Sequence, residues 1–125
     1  MALPDDPAEI RARRGRETFR EVLCFEGDLE PTTPFGLAAR DFVFSEVWAR
    51  PGLDRRSRRW ITLTCVTAAG SLHAMRAYAH AALASGDMTM AELREFVLQF
   101  AAFQGFPKAV EFERILDEFE QPSSL

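Results

Sequence analysis

SEVWARPGLDRRSRRWIT, residues Ser45 to Thr62, holds the end of one helix, a sharp stop and the start of the next helix. Pro51-Gly52 is the stop. Proline disfavours helix in the residue before it, and glycine tolerates the positive φ of a tight exit. Asp54 then stands where an N-cap is wanted, able to accept from the free N–H groups of the first turn. Four arginines follow, Arg55, Arg56, Arg58 and Arg59, ahead of the apolar start Trp60-Ile61. On the other side of the stop an acid, Glu46, an aromatic, Trp48, and a guanidinium, Arg50, lie close together. Glu46 and Arg50 are spaced i, i+4 and share a helix face if the helix extends to Arg50. On spacing alone this is a solvated ion pair at a helix–helix corner.

Outward from this corner the pattern stays helical. Upstream, Pro4 to Phe25 opens with Asp5, Asp6, Pro7 and Glu9, the chemistry of a helix start, and continues with Arg11, Arg13, Arg14, Arg16 and Arg20. That basic series reads as a solvated face, with Phe19, Val22 and Leu23 packing inward. Glu26 to Pro34 is a loop and the longest connection, suited to lie over a pocket or a neighbouring subunit. Phe35 to Ala49 is apolar round more than one face and is expected to be heavily buried.

Downstream, a third helix runs from about Asp54 to Ala69, and its uncharged half from Ile61 suits a central helix or a subunit contact. Ser71 is the next N-cap candidate, for a helix from Leu72 to Ser85 that ends at Gly86. Thr89 with Glu92 three residues on is a capping box, and Leu93, Phe96, Val97, Phe100 and Ala101 form the stripe behind it. A last helix, Lys108 to Phe119, presents Phe112, Ile115, Leu116 and Phe119, and residues 120–125 should fray. No segment alternates with period two, so the chain reads as all-α, with about six helices in a single domain over residues 1–125 and an N-terminal helix and loop over 1–34.

Composition excludes several classes of function. The chain has 125 residues, 47% of them apolar, enough for one core and too apolar for disorder away from the ends. A net charge of −4 removes the electrostatic case for a nucleic-acid partner. No apolar run spans a membrane and no signal-peptide pattern opens the chain, so no membrane partner and a cytoplasmic location are expected. Cys24 and Cys65 stand alone, without metal-ligand spacing, and read as reduced, buried thiols. No cofactor or metal is expected.

His73 and His80, the only histidines, lie seven apart on the fourth helix, about 10 Å from each other and too far to share a metal. Tyr78, the only tyrosine, stands among alanines that leave room around its hydroxyl. It reads either as a core tyrosine with a satisfied hydroxyl or as a polar group in a pocket.

Four stretches carry a family resemblance. They are E-V-W-x-R-P-G-L-x-R-x-x-R-x-x-x-T (Glu46 to Thr62), H-A-A-L-A-S-G-x-x-T (His80 to Thr89), E-L-R-E-F-V-L-Q (Glu92 to Gln99) and Q-G-F-P-K-A (Gln104 to Ala109). In order and spacing they resemble the carboxymuconolactone decarboxylase family, which shares an orthogonal helical bundle with alkylhydroperoxidase D. The resemblance implies an all-α subunit assembling into trimers or hexamers. It also implies a cofactor-free decarboxylation in aromatic breakdown. Such chemistry needs a cation to hold a carboxylate, stabilisation of the carbanion left by CO2, and an acid to return a proton. The resemblance makes Arg50, Trp48 and Arg58 the substrate-binding candidates, and Tyr78, His73 and Glu46 the catalytic ones.

The departures from the pattern narrow the reading. Tyr78 stands where the family carries a histidine, and Leu72, His73 and Ala74 stand where the decarboxylases carry an acidic run. Ser71 and Ala74 occupy the positions of the peroxidase branch's two cysteines, which excludes disulfide-based peroxidase activity. Two readings follow. One is a decarboxylase-like enzyme, or a related proton-transfer or lactone activity, on a small carboxylated, aromatic-derived molecule. The other is a non-catalytic ligand-binding or structural oligomer of the same fold.

Overall fold

The computed structural model describes residues 7–27 and 29–121, and among them every regular element is a helix. Helix α1 is Ala8–Leu23, and α2 is Pro34–Ala38, which runs directly into a π-helix at Ala39–Val47. Then come α3 (Arg55–Ala68), α4 (Leu72–Ala84), α5 (Met90–Gln104) and α6 (Phe106–Glu120). This is the all-α class and the element order that the sequence predicts. The expected helix start at Pro4 to Asp6 and the frayed end beyond Gln121 lie outside the described residues. Contacts gather the chain into two compact units, residues 1–55 and 56–125.

The first unit is α1 packed on the π-helix. The buried face of α1 is Ala12, Gly15, Thr18 and Val22, a row that begins earlier than the predicted Phe19–Leu23 face. Gly15 is the point of closest approach. A Cβ placed on it would lie 2.1 Å from the Arg40 carbonyl oxygen and 2.9 Å from the carbonyl carbon. Only glycine lets the two backbones meet so closely. Further along, Phe19 meets Phe44 edge-on at 5.1 Å. Thr33 caps α2 by accepting from the Gly36 N–H (3.1 Å), with Pro34 at the first helical position, where its missing donor costs nothing.

The second helix differs from its expected form in two ways. It winds more widely than an α-helix: the Trp48 N–H donates to the Val43 carbonyl five residues back (3.0 Å). It is also half exposed, with Phe35 86% and Phe42 46% accessible while Phe44, Ser45, Glu46 and Trp48 are buried. Helix α1 reaches the buried residues Phe44, Ser45 and Glu46 through Phe19 and Arg14. The stop at Pro51-Gly52 is real, but Gly52 does not use a left-handed conformation, which is found instead at Gly70, Gly86 and Gly105.

The second unit carries the larger core. The α5 stripe is buried as its periodicity predicts: Leu93, Phe96, Val97, Phe100 and Ala101. Phe96 links several rings of this core, with centroids 5.1 Å from Phe112, 5.9 Å from Phe100 and 5.8 Å from Trp60. Burying a side chain of this size stabilises by about 1.5–3 kcal/mol. The capping box forms as expected, with the Thr89 N–H donating to Glu92 Oε1 (2.9 Å) and the Glu92 N–H to Thr89 Oγ1 (3.1 Å). Ser71 does occupy the N-cap of α4, but its side chain makes no capping bond. Helix α6 starts at Phe106, ahead of the predicted Lys108, because Pro107 is tolerated in a first turn. Arg94 ties α5 to Glu113, Asp117 and Glu120 of α6, and Arg76 ties α4 to Glu118 (3.1 Å).

The uncharged half of α3 is not central within its unit. Its buried stripe is Arg59, Leu63 and Thr67, while Ile61 and Cys65 are exposed. The expectation of two buried thiols is therefore corrected. Cys65 is exposed because it lies off that stripe, and Cys24 is only half-buried. No described helix is long and apolar enough to cross a membrane.

Candidate functional site

Glu46 lies in the π-helix and is 5% exposed. A buried carboxylate is costly unless it is compensated. Compensation comes from α1, whose Arg14 Nη2 donates to Glu46 Oε1 (3.1 Å) while Arg11 Nε stands 3.7 Å away. Arg14 is further fixed by donation from Nε to the Ser45 carbonyl oxygen (2.8 Å). Arg11 and Arg14 are spaced i, i+3 and so share a helix face. The basic series of α1 is thus not wholly a solvated face, since two of its members neutralise a carboxylate more than thirty positions away.

The i, i+4 helical relation of Glu46 to Arg50 does not form, because the π-helix ends at Val47. Arg50 lies beyond that end, its N–H donating to the Val47 carbonyl (3.2 Å) and its side chain exposed. Glu46 and Arg50 nevertheless line one open cleft of about 300 Å³, with Arg14, Ser45, Ala49 and Pro51. Ser45 is 1% exposed, and its Oγ has no hydrogen-bond partner among the described residues. Trp48, the residue that caps the C-terminal end of the π-helix, is buried.

Arg58, His73 and Tyr78 belong to the second unit. Arg58 is half-buried on α3. Its neighbour Arg59 is 1% exposed and donates from Nε to Asp87 Oδ2 (2.8 Å). Tyr78 is half-buried against the core. Burial pushes its phenol above the ordinary value of 10, an effect the nearby Arg59 charge partly offsets. Tyr78 is therefore a protonated hydrogen-bond donor at neutral pH. His73 is exposed, and five positions along a helix place it about 140° round from Tyr78, so α4 does not bring the two together. His80 is exposed too, with its ring 6.3 Å from Phe119. No group of three His, Cys, Asp or Glu among the described residues is arranged to hold a metal.

Sequence reasoning did not select Arg14, Ser45 or Arg59. For Arg59 a signal was present: it heads the i, i+4, i+8 row Arg59–Leu63–Thr67, which is a buried stripe. For Arg14 the signal was its neighbour Gly15, whose presence inside a helix marks a close backbone approach.

Comparison with known proteins places the chain in a family. The model of the carboxymuconolactone decarboxylase family matches residues 34–118. The chain belongs to that family. The 4-carboxymuconolactone decarboxylase of Acinetobacter baylyi is 31% identical over 106 residues, covering 79% of this chain and 78% of that protein. The nitrosuccinic acid decarboxylase of Metarhizium robertsii is 31% identical over 90 residues, covering 69% of this chain and 62% of its own length. The carboxymuconolactone decarboxylase segment contains Glu46, Trp48, Arg50, Arg58, His73 and Tyr78, whereas Arg11 and Arg14 precede it.

Proposed function

We propose that this protein is a cofactor-free decarboxylase of a small carboxylated molecule whose departing carboxylate sits on a carbon next to an electron-withdrawing group. The observation that carries the reading is its membership of a decarboxylase family in which two similar proteins act on chemically different acids. The acids named for those relatives, a carboxymuconolactone and nitrosuccinic acid, differ in skeleton. They share a carboxylate and a group, carbonyl or nitro, that can accept the electron pair released when CO2 departs. The reaction proposed here is that shared step. The C–CO2 bond breaks heterolytically, its electron pair passes into the activating group, and a proton then returns to the carbon or to the delocalised oxygen.

Tyr78 supplies that proton. Its burial keeps the phenol protonated at neutral pH, and Arg59 nearby stabilises the phenolate left behind until solvent reprotonates it. Arg50, Trp48 and Arg58 are the proposed substrate-binding residues, with Arg50 and Arg58 offering guanidiniums to carboxylate. Glu46 serves to fix Arg14 rather than to move a proton. His73, exposed on α4, remains a second proposed acid–base group.

The test is CO2 release from 4-carboxymuconolactone and from nitrosuccinate with purified protein and no added cofactor. Turnover should fall by about a hundredfold in Tyr78→Phe with the fold intact. Wild-type protein that releases no CO2 from either acid would favour a non-catalytic binding protein of the same fold. Tyr78→Phe with full activity would leave the reaction standing and remove the tyrosine from it.

A further inference from the structure

We propose that Arg59 and Asp87 are a positioning pair for Tyr78. The turn between α4 and α5 holds the Arg59 guanidinium near the phenol, where its charge steadies the phenolate formed when the tyrosine gives up its proton. The proposal deepens the decarboxylase reading and rests on it for the identity of the proton donor; the pair itself stands on the geometry of the second unit.

Three observations carry it. The first is where Arg59 lies. It is 1% exposed and heads the buried row Arg59–Leu63–Thr67 of α3. Leu63, one turn on, belongs to the core cluster against which Tyr78 packs, so guanidinium and phenol border the same core. The Arg59 charge acts on the phenol there, against the effect of burial. Taking a charge out of water is costly, and apolar side chains in place of a buried ion pair are often as stable. Stability alone therefore gives little reason for a guanidinium at this position, whereas a proton donor near it does.

The second is how Asp87 is held. Its Oδ2 accepts from Arg59 Nε (2.8 Å), its carbonyl oxygen accepts from Arg56 Nη1 (2.6 Å), and its N–H donates to Ser85 Oγ (3.2 Å). The turn is closed by the Met88 N–H donating to the Ala82 carbonyl (3.1 Å), around Gly86 at φ 79°. Arg56 is in turn paired with Glu92 of α5. A carboxylate fixed at three points offers its oxygen to Arg59 from one place, and the guanidinium is oriented before any reaction begins.

The third is what else surrounds the phenol. On α4 itself, Arg76 is engaged by Glu118 of α6 and, like His73 and His80, stands well round the helix from Tyr78. From α5 and α6 the cluster at Tyr78 contributes apolar side chains, Phe96, Phe100 and Phe112 among them. The charge that bears on the phenol comes from α3, through Arg59, and the α4–α5 turn bears on it through Asp87. A charge acts more strongly in such surroundings than in water.

The experiment reads Tyr78 directly, because it is the only tyrosine in the chain. Fluorotyrosine incorporated in its place brings the phenol's titration toward neutral pH, away from alkaline unfolding, and fluorine NMR follows it. Arg59→Met should move the titration to higher pH by withdrawing the charge that favours the phenolate. Arg59→Lys keeps the charge without the fork and should restore part of the difference. Asp87→Ala should also move the titration to higher pH, by releasing the guanidinium. Loss of a negative charge alone would move it the other way, so the direction separates positioning from simple charge. Asp87→Asn keeps an acceptor for Nε and should not raise it. The double variant Arg59→Met/Asp87→Asn removes the pair without stranding either charge; it should melt near wild type and titrate as Arg59→Met does. In CO2 release, Arg59→Met should lose less than the roughly hundredfold expected of Tyr78→Phe, since the donor stays. A titration unmoved in both Arg59→Met and the double variant would overturn the proposal. A downward or absent shift in Asp87→Ala would remove Asp87 from it. A shifted phenol in protein that releases no CO2 from either acid keeps the pair and removes the decarboxylase reading; CO2 release with an unshifted phenol does the reverse.

Discussion

Replacing Gly15 with alanine sets two known effects against each other, and the geometry decides between them. In a helix interior, alanine is favoured over glycine by about 0.8–1 kcal/mol, so propensity alone makes the variant more stable. The new Cβ would sit 2.1 Å from the Arg40 carbonyl oxygen, where real Cβ atoms essentially never come under 3.0 Å. The obstacle is backbone and cannot rotate away, so α1 and the π-helix must part by about 1 Å. A gap of about 0.5–1 Å already forfeits a quarter to a half of the dispersion between the surfaces that line it. Overpacking of this kind costs about 1–3 kcal/mol, and a rigid neighbour places the cost toward the upper end. Steric cost exceeds propensity, and we expect Gly15→Ala to be destabilised by about 1–2 kcal/mol net. At roughly 3–6 °C per kcal/mol for a chain of this length, the melting midpoint should fall visibly.

Thermal unfolding followed by far-ultraviolet circular dichroism measures this directly. Gly52→Ala is the matched control: nothing lies within 4 Å of its added Cβ and its backbone is not left-handed. That variant should be unchanged, or stabilised by up to about 1 kcal/mol through the unfolded state. A Gly15→Ala midpoint at or above wild type would refute the close approach, and with it the positioning of Arg14.

Two further expectations concern acid stability and assembly. Glu92 is held below its ordinary pKa of 4.5, first by its hydrogen bond from Arg56 and then by the Thr89 backbone N–H. A carboxyl with a lowered folded pKa stabilises above its unfolded value and loses that contribution as pH falls through the folded one. The melting difference between wild type and Glu92→Gln should therefore be full at neutral pH and shrink below pH 4.5; a constant difference would exclude this linkage. We also propose a homo-oligomer, trimeric or hexameric, because Phe35, Phe103 and Phe106 are each more than two-thirds exposed in the single chain. Light scattering that finds only monomer at micromolar concentration would end that proposal.

The legible parts of this fold are those where local pattern and final burial coincide. Leu93, Phe96, Val97, Phe100 and Ala101 repeat at helical spacing and are all buried, and Thr89 with Glu92 announces its capping box in four residues. Two features were not legible. Periodicity at Phe35 to Ala49 assumes α-helical winding, and nothing local signals the π-helix that ends at Val47 and takes Arg50 off the expected face. The partner of Glu46 was hidden because Arg14 is thirty-two positions away, and a run of arginines on an acidic chain has the same composition whether it faces water or a buried carboxylate. In the second unit, Tyr78 stood out as a lone phenol among alanines, whereas Arg59 was one arginine among four until its row with Leu63 and Thr67 gave it a face.

The contact between α1 and the π-helix also bears on where this protein can be cut. The family segment begins at residue 34, yet the groups that shield its π-helix lie before that point. A fragment starting there would lose both guanidiniums that neutralise Glu46, and the Phe19 edge that covers Phe44. Phe44 and Ser45, almost wholly enclosed in the intact chain, would then meet water along a helix already exposed on its other side. The boundary drawn by similarity is therefore not a boundary of autonomous folding. An expression fragment of the first unit should begin before Arg11, so that the helix and its charges stay together.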